Sequence, residues 1–471
     1  MRTTKLSFLA DACRGRLFGA AGAEVSDVKI DSREVIPGCL FVAVKGPNND
    51  GHRYLSQAYE KGCRCFLVSD GKAAEDAFRG KGDASWVLTD DTQYAFEMMA
   101  KAYMDQFDLI KIGVTGSTGK TSTKALVAAV MSARFNTVCS RKNYNTHLGI
   151  AMTCFLADED TQAIVIEMGM DRKDELYDYC KWVRPHAAVI TNVGVVHMEY
   201  IGSREGIAEE KLKITSFLEP DQPLIYNCDS PFLSREEILK RSSGRFRMIP
   251  CGEGDEALVK ISGAEDLGAS GIRFDLSYEG KEQRFELPFL GLHNAHNGAL
   301  AAAVGLQFGI SLEEAAKAMP KAMIEGQRLE IVPIGEATLI DDSYNANPDS
   351  MASAMRTLAR LDAKRRIAVI ADMRELGDAA VECHVGIGKL ASELGIDILL
   401  AIGSFRGYYA EGCRGFEKPQ VNCFETWEEA EEHLLSLIAS GDAVLVKGSL
   451  STGIHCLAER LREKYSRQPE G

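Results

Sequence analysis

The stretch Leu109-Ile-Lys-Ile-Gly-Val-Thr-Gly-Ser-Thr-Gly-Lys-Thr121 decides the fold. Its first seven residues are an apolar run of buried-strand length. Residues 121–133 are rich in Ala and Val with no helix breaker, so the order is strand, glycine turn, helix. A turn of small residues lets backbone N–H groups face a polyphosphate, and the helix N-terminus adds a partial positive charge. Gly116, Ser117, Thr118 and Gly119 would form that cradle, Lys120 would neutralise the outer phosphates, and the Thr121 hydroxyl would hold Mg²⁺. The strict pattern asks for glycine at position 114, where this chain has Val114. What remains is the shorter T-G-x-x-G-K-T. Such a loop serves kinases, switches and ligases alike, so it fixes a nucleotide fold and not a reaction.

Working outward, further apolar runs at 163–166 and 187–191 are separated by helix-like segments, which predicts a parallel α/β sheet. Residues 258–289 alternate and read as antiparallel strands, and the Ala-rich 294–308 reads as a helix. Upstream, 92–107 carries apolar residues at helical spacing and closes a first block. Downstream, strand patterns at 337–341, 367–370, 398–402 and 443–446 predict a second α/β unit. The chain is therefore expected to be α/β throughout, in three domains at 1–107, 108–320 and 321–471. A length of 471 residues is too long for one core and agrees with this.

Composition bounds the function. The chain is 45% hydrophobic and 26% charged, with 54 basic and 68 acidic residues for a net charge of −14. An acidic envelope argues against nucleic acid and anionic membranes as partners. No apolar run approaches the ~20 residues of a membrane span. Lys5-Leu-Ser-Phe-Leu-Ala is broken by Asp11 and predicts a short amphipathic helix rather than a secretory segment, so a cytoplasmic protein is expected. The 13 cysteines form no C-x-x-C pair and read as reduced core thiols.

Several polar groups follow apolar strands, where open α/β sheets bind ligands. Asn143-Tyr-Asn-Thr-His-Leu-Gly149 includes Asn145 and Thr146. Glu167 follows Ala-Ile-Val-Ile, and a carboxylate there suits Mg²⁺. His197 ends Ile-Thr-Asn-Val-Gly-Val-Val-His and by itself reads equally as a hydrogen-bonded structural residue. Lys211, in Ile-Ala-Glu-Glu-Lys-Leu-Lys-Ile, by itself reads as a surface lysine on a helix.

Taken in order, TGSTGKT, NYNTHLG, EMG, TNVGVVH, IAEEKLKI, GLHNAHN, GQR and DDSYNANP resemble the Mur ligase family. Asp31-Ser-Arg-Glu-Val-Ile-Pro-Gly-Cys-Leu-Phe-Val-Ala-Val-Lys-Gly46 and Asp50-Gly-His52 resemble the uridine-nucleotide-binding domain of its later-acting members. DDSYNANPDSM at 341–351 and ADMRELG at 371–377 resemble the branch that adds D-alanyl-D-alanine to UDP-N-acetylmuramoyl-tripeptide through an acyl phosphate. The resemblance implies a uridine-binding first domain, a central ATPase domain and a Rossmann-like third. It implies ATP held by the phosphate loop, Asn294 and Asn297 near adenine, Arg328 reaching the phosphates and Asp342 the ribose. It also implies two Mg²⁺ ions with Thr121, Glu167, His197 and a carbamylated Lys211 around them. Ser32, Arg33, Lys45, Asp50 and His52 would surround the UDP moiety, and Asn145, Thr146, Lys447 and Ser449 the reacting substrates. Partners would be small molecules, and the family leans monomeric.

Three positions depart from the family pattern. Thr146 replaces a second Asn, Lys213 a Glu, and Leu450 an Arg after Lys447-Gly-Ser449. The alternatives are another acid–amine ligase of the Mur and folylpolyglutamate synthetase superfamily, or a switch that binds ATP without ligation.

Overall fold

The computed structural model describes residues 1–466 apart from 47, 48, 197, 243, 324 and 325. Three large sheets organise the chain. The first has Arg16–Phe18, Ser85–Leu88, Cys65–Val68, Cys39–Val42 and Asp27–Lys29 side by side, the last four parallel. Cys39–Val42 and Cys65–Val68 are wholly buried, as inner parallel strands covered on both faces must be.

The central sheet has nine strands. Arg247–Gly252, Pro223–Asn227, Ala187–Ile190, Ile110–Thr115, Ala163–Glu167 and Thr137–Cys139 run parallel in that spatial order. Val259–Asp266 joins the edge, and Ile272–Tyr278 and Lys281–Leu287 continue it as the antiparallel extension expected for 258–289. Ile110–Thr115 lies between Ala163–Glu167 and Ala187–Ile190. The carboxyl ends of these three strands therefore meet, and each carries a polar group of the candidate site. Helices Lys120–Met131 and His293–Gln307 cover one face through Leu126, Val130, Ala299 and Ala303. Helices His147–Cys154, Glu175–Val183 and Arg204–Leu212 cover the other through Ile150, Tyr179 and Ile207.

The third sheet runs Glu330–Ile334, Ala337–Asp342, Asp442–Lys447, Arg365–Ala371, Ile398–Ile402, Gln420–Phe424, all parallel except the first pair. The four strand patterns expected in this block are all strands. Helix Pro348–Arg360 starts with a capping box in which Asn347 accepts from Ser350 N at 2.9 Å, with Pro348 in the first turn. This helix faces the central domain: Ser353 Oγ and His293 Nδ1 are hydrogen-bonded at 2.8 Å, and Arg360 lies 3.6 Å from Asp266.

Helix Thr92–Met104, expected to close the first block, serves two. Asp91 caps it, accepting from Gln93 N and Tyr94 N. Its Phe96 stacks on Phe155 at 5.5 Å, and Tyr103 OH donates to Ala157 O at 2.6 Å. The same helix shares a core with Leu6 and Leu9 of the first domain. All 13 cysteines are free thiols; eight are buried, whereas Cys13, Cys139, Cys383 and Cys456 are half-buried and Cys423 is exposed, so the expectation of core thiols holds for only part of them. No helix among the described residues is long and apolar enough to cross a membrane.

Candidate functional site

A cleft of about 1050 Å³ opens where the central strand ends face the third sheet. Its walls include Lys120, Thr121, Glu167, Asn294, Arg328 and Asp342. The sequence scattered these groups over more than 200 positions, and the parallel register brings them together.

The phosphate loop is shaped by its neighbour strand. Gly116 sits at φ +150°, and a Cβ there would fall 1.8 Å from Thr191 Oγ1, so no larger residue fits without displacing the strand end. Ser117 N and Thr118 N donate to Asn192 Oδ1 at 3.1 and 2.9 Å, and Gly194 N donates to Ser117 Oγ at 2.8 Å. Asn192 thus fixes the first half of the loop, leaving the first-turn amides after Gly119 without intrahelical acceptors and open to an anion. Lys120 Nζ bends back onto its own loop, donating to Gly116 O at 2.8 Å and Ser117 O at 3.3 Å. Burial lowers its pKa; Glu167 opposes that shift and Arg328 adds to it.

Glu167 is the hub beside the loop and is almost fully buried. Thr121 Oγ1 donates to its Oε2 at 2.9 Å, Asn145 Nδ2 donates to its Oε1 at 3.0 Å, and Lys124 Nζ stands 3.6 Å away. A hydroxyl in the first helical turn in contact with a carboxylate at a strand end supplies the hard oxygen donors that Mg²⁺ takes. Thr146 heads helix His147–Cys154 without a side-chain cap bond.

Lys211 is not the surface residue its local sequence suggests. It is 2% exposed, on the inward face of Arg204–Leu212, and its amine makes no hydrogen bond or ion pair with the described residues. Burial pulls its pKa well below the ordinary lysine value, Lys120 pushing the same way and Asp171 against. Lys213, the departure two residues on, points away: it pairs with Asp174 and Glu210, both at 2.6 Å. His197 lies outside the described residues.

On the opposite wall Arg328 stacks over Tyr344 at 4.4 Å, with its Nε buried and unpartnered. Asp342 pairs with Lys447 at 2.6 Å, and Lys447 also donates to Asn345 O at 2.8 Å. Burial holds Asp342 above the usual carboxylate range despite Lys447. Ser449 accepts from Arg374 N at 3.0 Å, tying the two strand-end loops together. Asn294 faces the cleft, whereas Asn297 is turned inward: it accepts from Thr123 Oγ1 at 3.1 Å and donates to Asn294 Oδ1 at 2.8 Å. Asn297 therefore orients Asn294 and anchors the phosphate-loop helix.

The five first-domain residues do not line this cleft. Ser32 donates to Gln57 Oε1 at 3.0 Å, exposed Arg33 pairs with Asp31 at 2.6 Å, and Lys45 and Asp50 are joined by an isolated antiparallel bridge. His52 is buried with both ring nitrogens used. Nε2 accepts from Ser69 N at 2.9 Å, so Nδ1 carries the proton and donates to Asp50 Oδ1 at 2.6 Å. It braces the 50–54 turn and has no nitrogen left for a ligand.

Sequence reasoning missed Asn192, Lys124 and Tyr344. Asn192 and Tyr344 lay inside quoted motifs without a role, and Lys124 is one helical turn after Lys120, the only signal it carried.

Three family models match the chain: "Mur ligase family, catalytic domain" over residues 24–101, "Mur ligase middle domain" over 114–305, and "Mur ligase, glutamate ligase domain" over 327–450. The UDP-N-acetylmuramoyl-tripeptide–D-alanyl-D-alanine ligase of Bacillus subtilis is 34% identical, covering 90% of both chains. The protein of the same name from Escherichia coli is 32% identical over 98% of this chain and 99% of its own. A crystal structure of MurF from Acinetobacter baumannii superposes with a TM-score of 0.87 at 28% identity, covering 98% of this chain and 99% of that one. The MurF ligase of Thermotoga maritima in complex with ADP, at 22% identity and a TM-score of 0.77, covers 94% and 99% and shares the fold.

Proposed function

The chain belongs to the Mur ligase family, and from that premise we propose that it is the ATP-dependent ligase that adds D-alanyl-D-alanine to UDP-N-acetylmuramoyl-tripeptide in peptidoglycan precursor synthesis. The observation that carries this is the near-full-length match to relatives of that name, joined to a cleft whose two walls come from the two ligase domains.

A carboxylate does not acylate an amine at neutral pH. Transfer of the ATP γ-phosphoryl to it makes an acyl phosphate with a good leaving group. The barrier is largely electrostatic, because an anion must approach a polyanion. Lys120, whose ammonium lies at the loop on Gly116 O and Ser117 O, would offset that repulsion from this chain's own side. The first-turn amides of Lys120–Met131 hold the phosphates, Arg328 adds positive charge from the opposite wall, and Asn294 lies on the adenine side. Thr121 and Glu167 would hold one Mg²⁺, and His197 with a carbamylated Lys211 a second; bound there, the ions supply Lewis-acid charge neutralisation. A buried lysine whose pKa is pulled down suits carbamylation, because the neutral amine's lone pair attacks CO₂ and the anion formed is able to ligate metal. The 1–107 block would bind the uridine nucleotide, 108–320 ATP, and 321–471 the amine. Closing the third block over the second would exclude water, which would otherwise hydrolyse the acyl phosphate. The acidic surface supports small-molecule partners, and we place the protein as a cytoplasmic monomer that meets neither nucleic acid nor membrane.

The test is release of ADP and phosphate with UDP-N-acetylmuramoyl-tripeptide, with and without D-alanyl-D-alanine. Release that needs both, with a pentapeptide product by mass, is expected. Release with another acid and amine, and none with this pair, would keep the chemistry and overturn the substrate.

A further inference from the structure

Ligation needs more than an activated acid. The incoming amine arrives as an ammonium and must lose a proton before its lone pair can attack. A carboxylate on the amine's side of the cleft meets both needs, binding the cation and then taking the proton. Four carboxylates of the third domain line the cleft: Glu330, Asp342, Asp349 and Glu375. Glu330 is paired with Arg462 at 2.7 Å, Asp342 with Lys447 at 2.6 Å, and Glu375 is engaged in an interaction of its own. Asp349 makes no hydrogen bond or ion pair through its carboxylate with any described residue, and it is open to the cleft.

Its placement is specific. Asp349 is the second residue of helix Pro348–Arg360, whose start the Asn347 capping box fixes and which the His293–Ser353 bond ties to the central domain. Its Oδ2 comes so near Gly194 that a Cβ at 194 would lie 2.2 Å from it, and that same point is 3.3 Å from Ser117 Cβ. A carboxylate from the third domain thus stands against the strand-end loop at Gly194, beside Ser117 of the phosphate loop. Arg204, on the central wall, is the cation that acts on it.

We propose that Asp349 binds the ammonium of the incoming dipeptide and takes its proton, so that the third domain delivers a free amine to the acyl phosphate. This rests on the ligase reading above. The amine's first proton passes to the Asp349 carboxylate and on to water. The freed lone pair forms the C–N bond at the acyl carbon, and the bond from that carbon to the phosphate oxygen breaks, its electron pair leaving with phosphate. The second proton leaves nitrogen as the amide forms, and the departing phosphate takes it up. The surrounding cleft walls raise the pKa of Asp349 above the ordinary aspartate value, with Arg204 opposing, although the side chain itself stays open to the cleft. An acidic residue in a first helical turn also favours the helix dipole, a role that would show only as stability.

The experiment compares wild type, Asp349→Asn and Asp349→Glu with ATP, Mg²⁺ and UDP-N-acetylmuramoyl-tripeptide and two nucleophiles. One is D-alanyl-D-alanine; the other is hydroxylamine, which is uncharged at neutral pH and converts an acyl phosphate to a hydroxamate without a protein base. For Asp349→Asn we expect hydroxamate formation within about twofold of wild type but kcat/KM for the dipeptide down about 10²-fold, partly regained by Asp349→Glu. Equal loss with both nucleophiles, or no loss with the dipeptide, would overturn the proposal. A wild-type enzyme that gives neither hydroxamate nor pentapeptide would overturn the ligase reading and this one with it, whereas one that gives pentapeptide but no hydroxamate would overturn this proposal's free acyl phosphate alone.

Discussion

Lys211 shows how a single residue can be unreadable in sequence and decisive in the fold. Its neighbours along the chain are Glu, Glu and Lys, the pattern of a solvated helix face, yet the helix turns it inward against Lys120. Only the family resemblance flagged it; the burial that lowers its pKa comes from segments distant in sequence. That burial has a sign. The folded-state pKa lies below the unfolded one, so the unfolded chain binds the proton more tightly, and the cost of burying this lysine grows as pH falls below about 10.4. In CO₂-depleted buffer, Lys211→Met is therefore expected to raise Tm relative to wild type, more at neutral pH than at pH about 10. Bicarbonate should stabilise wild type and leave the variant unmoved, while Lys211→Ala stays inactive at any bicarbonate level. A Tm difference that is flat with pH would remove the lowered lysine pKa from the account. By contrast Gly116, Lys120 and Thr121 were legible at once, because a phosphate loop is local: backbone, turn and hydroxyl all lie within one short stretch. His52 was legible only as a motif member, since the Ser69 N–H that occupies its ring is contributed from across the domain.

At the scale of elements, strand and helix runs were well marked because parallel strands buried on both faces are continuous apolar words and their crossover helices are long. What the words could not give was order. Ile110–Thr115 sits between the strands that follow it second and third in sequence, and only that order sets Thr191 against Gly116. The contact is testable as a coupling between two strand ends. Gly116→Ala drives a methyl into Thr191 Oγ1, whose hydroxyl is already bonded to Thr118 O, and should cost about 1–3 kcal/mol of stability with most of the turnover. Thr191→Ala alone removes that hydroxyl at smaller cost. In the double variant the 1.8 Å clash is gone and only the tight contacts at 3.0 and 3.1 Å to Cβ and N of residue 191 remain, so the two effects should fall short of their sum by at least about 0.5 kcal/mol in a thermal or denaturant cycle. Strict additivity would mean that the loop does not depend on the strand end.

For the whole molecule, the division at 107 read from sequence follows the end of the helical apolar pattern at 92–107, and helix Thr92–Met104, just before it, packs into the domain beyond it. Phe96, Met99, Ala100 and Tyr103 are fully buried, packed in one core with Ile150, Cys154 and Phe155 of the central domain as well as with Leu6 and Leu9. Each large apolar side chain so placed is worth about 2 kcal/mol of burial, and removing the helix also uncovers the face of His147–Cys154 that carries the Glu167-binding loop. The sequence could not show this, because an amphipathic helix declares that it has a buried side and not which domain buries it. The helix is shared by the two domains, and we propose that the central core depends on it, so that a stable central fragment has to begin at or before residue 92. A fragment of residues 92–471 is expected to remain soluble, to unfold cooperatively and to bind ATP. A fragment of residues 108–471 should lose several kcal/mol from the central core, at about 2 kcal/mol for each of its exposed contacts, and aggregate or melt well below the longer one. Thermal melts of the two fragments, with and without ATP and Mg²⁺, decide it. If the shorter fragment proved as stable as the longer, helix Thr92–Met104 would belong energetically to the first domain alone, and the interface between first and central domains would be a loose contact rather than a shared core.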